Sequence, residues 1–167
     1  KYSQNVFSNG GIQAGYCPNY FDARHYHKIE NKKKNSIVQW GLFGKLERRK
    51  ATLEIITSWA KLFGNNKLHR LNCCIYNAFM DKDQQLATLK NVFGGKIPYN
   101  INILPFQTKN KQYNEVLNFI DIDLSGMSCA EGFGLPHFTC GALGKVALSL
   151  NAHAHTDFNQ SDNFIKV

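Results

Sequence analysis

Glu131 closes a run of small residues, Ser125-Gly126-Met127-Ser128-Cys129-Ala130, and is followed by Gly132, Phe133, Gly134, Leu135 and Pro136. A carboxylate at a loop tip accepts hydrogen bonds from hydroxyl groups, or stabilises positive charge developing on carbon. Gly134 lets the backbone approach a ligand closely. Leu135-Pro136 opens a helix, where proline's missing N–H has no intrahelical partner to lose. The free N–H groups of such a helix start, at the positive end of its dipole, favour an anion. A second stretch, Gly44-Lys45-Leu46-Glu47-Arg48-Arg49-Lys50, crowds cations where a helix is expected to begin. Helix starts prefer acidic residues, so this crowding argues for a bound anion rather than a solvated face. Phosphate and hydroxyl chemistry side by side point to a sugar nucleotide.

The elements that must position these groups alternate along the chain. Apolar runs predict strands at residues 37–43, 71–76, 101–106, 119–124 and 146–150, with a short edge strand at 164–167. Helices are predicted at 48–63, 81–92, 111–117 and 137–143; in the first, Leu53, Ile56, Ala60 and Phe63 share one face. Residues 1–35 read as a polar lead-in whose charged end, 28–35, is a solvated loop. The alternation implies an α/β fold with a Rossmann-like parallel sheet covered by helices on both faces. Right-handed crossovers give the strand order 3-2-1-4-5. Ligands in such sheets sit where the order reverses, at the C-terminal ends of strands 1 and 4. Those ends carry Gly44-Lys45 and Glu131-Gly132, so the two stretches are expected to meet.

The chain has 167 residues, which read as a single domain with its core in 36–167. No run approaches the roughly 18 apolar residues needed to cross a bilayer, and the first residues carry no leader-like apolar segment. Five cysteines without CxxC spacing suggest free thiols and a cytoplasmic location. The net charge of +8 favours anionic partners: a nucleotide diphosphate, an anionic membrane surface met peripherally, or nucleic acid. No RNP, KH or zinc-finger pattern accompanies the charge, so a nucleic-acid partner is not expected.

Glu131-Gly132-Phe133-Gly134-Leu135-Pro136 resembles the EGFGLP signature of the retaining GT-B glycosyltransferases of the family 4 type. The likeness continues through Gly141-Ala142-Leu143-Gly144-Lys145-Val146 to His155-Thr156-Asp157-Phe158. Pro18-Asn19-Tyr20-Phe21-Asp22 resembles the segment that opens the C-terminal half of those enzymes. Residues 41–50 resemble a segment whose Arg and Lys grip the donor diphosphate. The resemblance implies one half of a GT-B fold, the donor-binding domain, without the N-terminal acceptor domain. It implies transfer of a hexose from a UDP- or GDP-sugar to an acceptor hydroxyl, with no metal cofactor. It places Glu131, Lys45 and Lys50 at the reacting centre. It places Gly44, Phe106, Gly132, Phe133, Gly134, Leu135 and Thr139 around the donor. Lys45 stands where the family has Arg and lacks its planar fork. Thr139 stands where the family has the carboxylate that holds ribose.

Two other constellations carry weaker signals. Asp121-Ile122-Asp123 matches a metal-binding DxD, but it lies within a strand. His153, His155 and Asp157 would share a face if extended, as zinc ligands can; a loop of satisfied polar residues is the plainer reading. A non-catalytic nucleotide-binding module is the alternative function.

Overall fold

The computed structural model describes residues 1–30, 36–128 and 130–167. Residues 31–35 of the charged stretch, and the Cys129 thiol, lie outside the described residues. Helix α1 (Tyr2–Asn9) comes first, then β1 (Val38–Phe43), a 3-10 turn (Arg48–Lys50) and α2 (Thr52–Phe63). After these come β2 (His69–Cys74), α3 (Lys82–Val92), β3 (Ile101–Ile103) and α4 (Asn110–Phe119). The chain continues through β4 (Ile122–Gly126), α5 (Leu135–Ala142), β5 (Val146–Ser149), a second 3-10 turn (His153–Asp157) and β6 (Phe164–Lys166).

The six strands form one sheet in the order β3-β2-β1-β4-β5-β6, with every pairing parallel. This is the expected order, extended by the edge strand. Strand alternation sorts β1 between two cores. Leu42 joins Ile56 and Trp59 of α2 and Leu89 of α3 on one face. Phe43 joins Leu117 of α4 and Cys140 of α5 on the other. Helices thus cover both faces, and the reversal falls between β1 and β4, where Gly41 lies opposite Asp123. Glycine at 41 leaves room for the Ile120 and Phe43 side chains: a Cβ there would lie 2.6 Å from Ile120 Cδ1 and would force those side chains to shift.

Local chemistry sets the element ends. Asp81 caps α3, its carboxylate accepting from the N–H groups of Asp83 and Gln84 at 2.8 and 3.3 Å. Lys145 donates to the carbonyls of Asn118 and Ile120 at 2.7 and 2.9 Å, placing a cation at the C-terminal end of α4. Asn100, 1% exposed, donates to the carbonyls of Phe63, Asn66 and His69 and so ties the end of α2 to the start of β2.

Three expectations need correction. The helix predicted over 48–63 is broken: Ala51 adopts φ 50°, so the basic residues lie on a separate 3-10 turn and α2 starts at Thr52. The lead-in contains a helix, α1, none of whose residues is buried; it rests on the second 3-10 turn, with the Tyr2 and His153 ring centroids 5.9 Å apart. The fourth strand begins at Ile122 rather than at 119, because α4 runs on to Phe119. Cys17, Cys73, Cys74 and Cys140 are free thiols. Among the described residues no helix is long and apolar enough to cross a membrane.

Candidate functional site

The two stretches meet at the C-terminal ends of β1 and β4. Gly44 leaves β1 at φ 150°, its N–H bonded to the Cys74 carbonyl at 3.1 Å. The 3-10 turn then carries its cations across to the β4–α5 loop. Arg49 donates to the Ala130 carbonyl at 2.5 Å and pairs with Glu47 at 2.7 Å. Lys50 Nζ forms an ion pair with Glu131 Oε1; the two side chains are only 16% and 10% exposed. Lys45 points elsewhere, its ammonium 4.8 Å from the centroid of the Phe79 ring. The structure therefore joins Lys50 to Glu131 and leaves Lys45 on an outer wall. Arg49, which positions the loop before Glu131, was not singled out by its sequence.

Beneath this pair lies a buried polar network. Asp123 is fully buried, and its Oδ1 accepts from the Ser125 N–H at 3.0 Å and the Ser125 hydroxyl at 2.6 Å. The Ser125 oxygen in turn accepts the Phe43 N–H at 2.8 Å. Asp123 Oδ2 lies 2.6 Å from Nδ1 of His137, itself 1% exposed. One carboxylate thus joins the end of β1, β4 and α5, which fixes the two turns relative to each other. Gly126 makes room for the His137 ring: a Cβ there would lie 2.3 Å from its Cε1 and 2.5 Å from the Leu148 carbonyl oxygen. The DxD pair therefore has structural partners, Asp121 accepting the Gln39 N–H at 2.8 Å. An Asp inside a strand has to find partners or remain unpaired and buried, and that requirement was the available signal.

Gly134, the N-cap of α5, sits at φ 82°, a conformation that favours glycine. A Cβ at this position would lie 2.8 Å from Nε2 of His155. Phe133 anchors the turn, with its ring 5.1 Å from those of both Phe138 and Phe158. His155 is 1% exposed, and apart from a weak contact with the Leu150 backbone neither of its ring nitrogens has a hydrogen-bond partner among the described residues. Burial, reinforced by neighbouring His137, lowers its pKa to about 4, with Glu131 and the Leu150 backbone opposing weakly. The second 3-10 turn breaks the extended geometry that a zinc reading needs: Asp157 faces the Lys1 amine at 2.5 Å, while His155 is buried against His137 with ring centroids 5.1 Å apart.

This histidine makes a pH prediction. Its folded pKa lies below the unfolded value of about 6.5, so the unfolded chain takes up the proton first. The stabilisation is complete above about pH 6.5 and is lost as pH falls toward 4. Urea midpoints should drop across that window, and His155→Phe should remove at least half of the drop. An equally steep loss in the variant would assign it to other groups.

Beside the α5 start is a cleft of about 260 Å³, walled by Gly44, Tyr76, Phe106, Asn110, Tyr113 and Pro136 among others. Phe106 is 60% exposed and tilts against Tyr76 at 5.2 Å between ring centroids. The two rings line one wall of the cleft, their planes 46° apart. Tyr76 was counted only as the end of a strand by its sequence. Thr139 is not on this wall: its hydroxyl donates to the Leu135 carbonyl at 2.8 Å, inside its own helix. Gly132 is exposed at the loop tip, and Leu135 is exposed at the start of α5.

No protein-family model matches the chain, and no curated protein matches it in sequence. Solved structures do. The C-terminal domain of the glycosyl transferase group 1 family protein LpcC from Francisella tularensis superposes with a TM-score of 0.72 at 19% identity, over 89% of this chain and 80% of that one. HepE from Anabaena, in complex with UDP-glucose, gives 0.75 at 17% identity, over 99% of this chain and 47% of that one. Sucrose-phosphate synthase from Thermosynechococcus elongatus gives 0.72 at 12%, over 98% and 43%. This chain thus spans just under half of HepE. It has the fold of the C-terminal domain of the GT-B glycosyltransferases.

Proposed function

We propose that this chain is the donor-binding half of a retaining glycosyltransferase and that it holds a nucleotide diphosphate sugar for transfer of a hexose to an acceptor hydroxyl. The observation that carries the reading is the meeting of Lys50, Glu131 and the N-terminus of α5 beside an aromatic cleft. The base lies against the Phe106–Tyr76 wall. The diphosphate lies between Lys50 and the free N–H groups of α5, with Gly44 and Gly134 allowing its close approach. The hexose faces Glu131. HepE, with the same fold, has been solved with UDP-glucose and with UDP and glucose.

In this reading the bond from the anomeric carbon to the diphosphate oxygen breaks as charge grows on the leaving group. Lys50 and the helix dipole stabilise that charge where it develops. The acceptor oxygen bonds to the anomeric carbon on the same face, and its proton passes to the departing diphosphate. Glu131 accepts from sugar hydroxyls and balances positive charge on the ring. The acceptor has to be held against the donor, which is worth roughly 7–11 kcal/mol in such reactions. Transfer therefore requires an acceptor-binding domain, and this chain by itself binds donor with little or no turnover. Ribose meets Asn110, whose amide lines the cleft, while the Thr139 hydroxyl, donating to the Leu135 carbonyl inside its own helix, keeps only acceptor capacity.

Calorimetric titration with UDP, GDP and their hexose conjugates tests the reading; binding of none of them contradicts it. Glu131→Gln gives a sharper result. In the unliganded protein Glu131 competes for Lys50, so its neutralisation should tighten UDP alone by about three- to tenfold, the size of one ion pair of this kind. The gain conferred by the attached sugar should shrink. Unchanged affinities for both ligands would remove Glu131 from the site.

A further inference from the structure

We infer that His155 is a proton-coupled positioning residue, taking up a proton when a diphosphate binds at the start of α5. This inference rests on the donor site proposed above. A neutral imidazole always carries one N–H donor, and burying it unpaired is costly. His155 is 1% exposed, and apart from a weak contact with the Leu150 backbone neither ring nitrogen has a hydrogen-bond partner among the described residues; it lies directly behind the N-cap of α5, its Nε2 occupying the space that a side chain on Gly134 would need. The ring therefore backs the turn on which the diphosphate rests, where Gly134 adopts φ 82°.

The charged and titratable groups around it are few. His137 of α5 faces it at 5.1 Å between ring centroids, with Asp123 of β4 behind that ring. Glu131 approaches from the β4–α5 loop but is paired with Lys50, and His153 belongs to its own turn. In the unliganded protein the negative charge that reaches the imidazole, from Glu131, is offset by Lys50, and burial dominates, so the ring stays neutral, in keeping with its lowered pKa of about 4. A diphosphate on the other side of Gly134 changes this. It brings negative charge to the turn and draws Lys50 from Glu131, and both changes favour imidazolium. A unit charge about 6 Å away at an effective dielectric near 20 shifts a pKa by roughly two units. With Lys50 and Lys45 opposing part of that field, a rise of about one unit or more is expected.

The test uses UDP-glucose and GDP-glucose, whose diphosphate diesters carry no proton that titrates near neutral pH. Calorimetry at pH 5, in two buffers of different ionisation enthalpy, should show net proton uptake on binding. Affinity should tighten by about threefold from pH 7 to pH 4.5, the change that a one-unit rise from a pKa of about 4 produces at that pH. His155→Phe should bind both ligands at pH 8 yet lose the uptake and the pH dependence; Glu131→Gln should lower the uptake without abolishing it, because the freed Glu131 carboxylate supplies only part of the charge. An NMR titration of the His155 ring in the unaltered chain, with and without ligand, reads the same shift without relying on a variant that folds. Binding without proton uptake, or uptake that survives in His155→Phe, overturns the inference and leaves the donor site standing. Failure of both ligands to bind at pH 8 overturns the donor site, and the inference with it.

Discussion

Lys50→Ala is expected to weaken UDP-glucose by about a hundredfold while leaving uridine unchanged. A charge-assisted hydrogen bond to phosphate is worth about 1.5–3 kcal/mol, and only the diphosphate makes it. The variant also leaves Glu131, 10% exposed, without its cation, so a carboxylate then repels the incoming anion. Lys45→Ala should cost less than about tenfold, since its ammonium rests on the Phe79 ring rather than on the loop. Added salt separates the two. Lys45 is exposed and its contribution is screened, whereas the mostly buried Lys50 should keep most of its effect at high ionic strength. Affinities for UDP-glucose and uridine at two salt concentrations decide this. Equal losses for both ligands would mean that Lys50 supports the fold and does not touch phosphate.

Asp123→Ala should lower stability by about 3–5 kcal/mol, the cost of removing the shared acceptor from a fully buried polar network. The substitution strands His137 Nδ1 and leaves the Ser125 N–H and hydroxyl without their acceptor. It also loosens the Phe43–Ser125 link that ties β1 to β4. Asp123→Asn should be milder, because an amide oxygen can still accept from Ser125. Chemical denaturation measures both. A loss under about 1 kcal/mol for the alanine variant would show that Asp123 adds little to what packing already provides.

The sheet order and the meeting of Gly44 with Glu131 were legible in the sequence because both follow from strand alternation and crossover hand. Neither depends on side-chain detail. The Asp81 cap was legible as a helix start for a similar, local reason. What stayed hidden depends on contacts between distant residues. Ala51 at φ 50° breaks the first predicted helix, and an alanine gives no warning of a left-handed conformation. Thr139 sits at the expected spacing, but its hydroxyl bonds to the preceding turn of its own helix, which spacing alone cannot reveal. His155 lies in a polar run, His153-Ala154-His155-Thr156-Asp157, that reads as a surface loop; its burial follows from the aromatic rings of Phe158 and His137 packed around it. Tyr76 extends an apolar strand in sequence, yet in space it lies beyond the strand's end, with its ring tilted against Phe106.

The most direct test of the donor site is a structure of this chain with UDP bound. The diphosphate is predicted to lie between Lys50 and the N–H groups at Leu135 and His137, with the Lys50–Glu131 pair opened and the uracil against the Phe106–Tyr76 wall. UDP bound with its phosphates away from Lys50, or its base outside the Gly44–Pro136 cleft, would contradict the account.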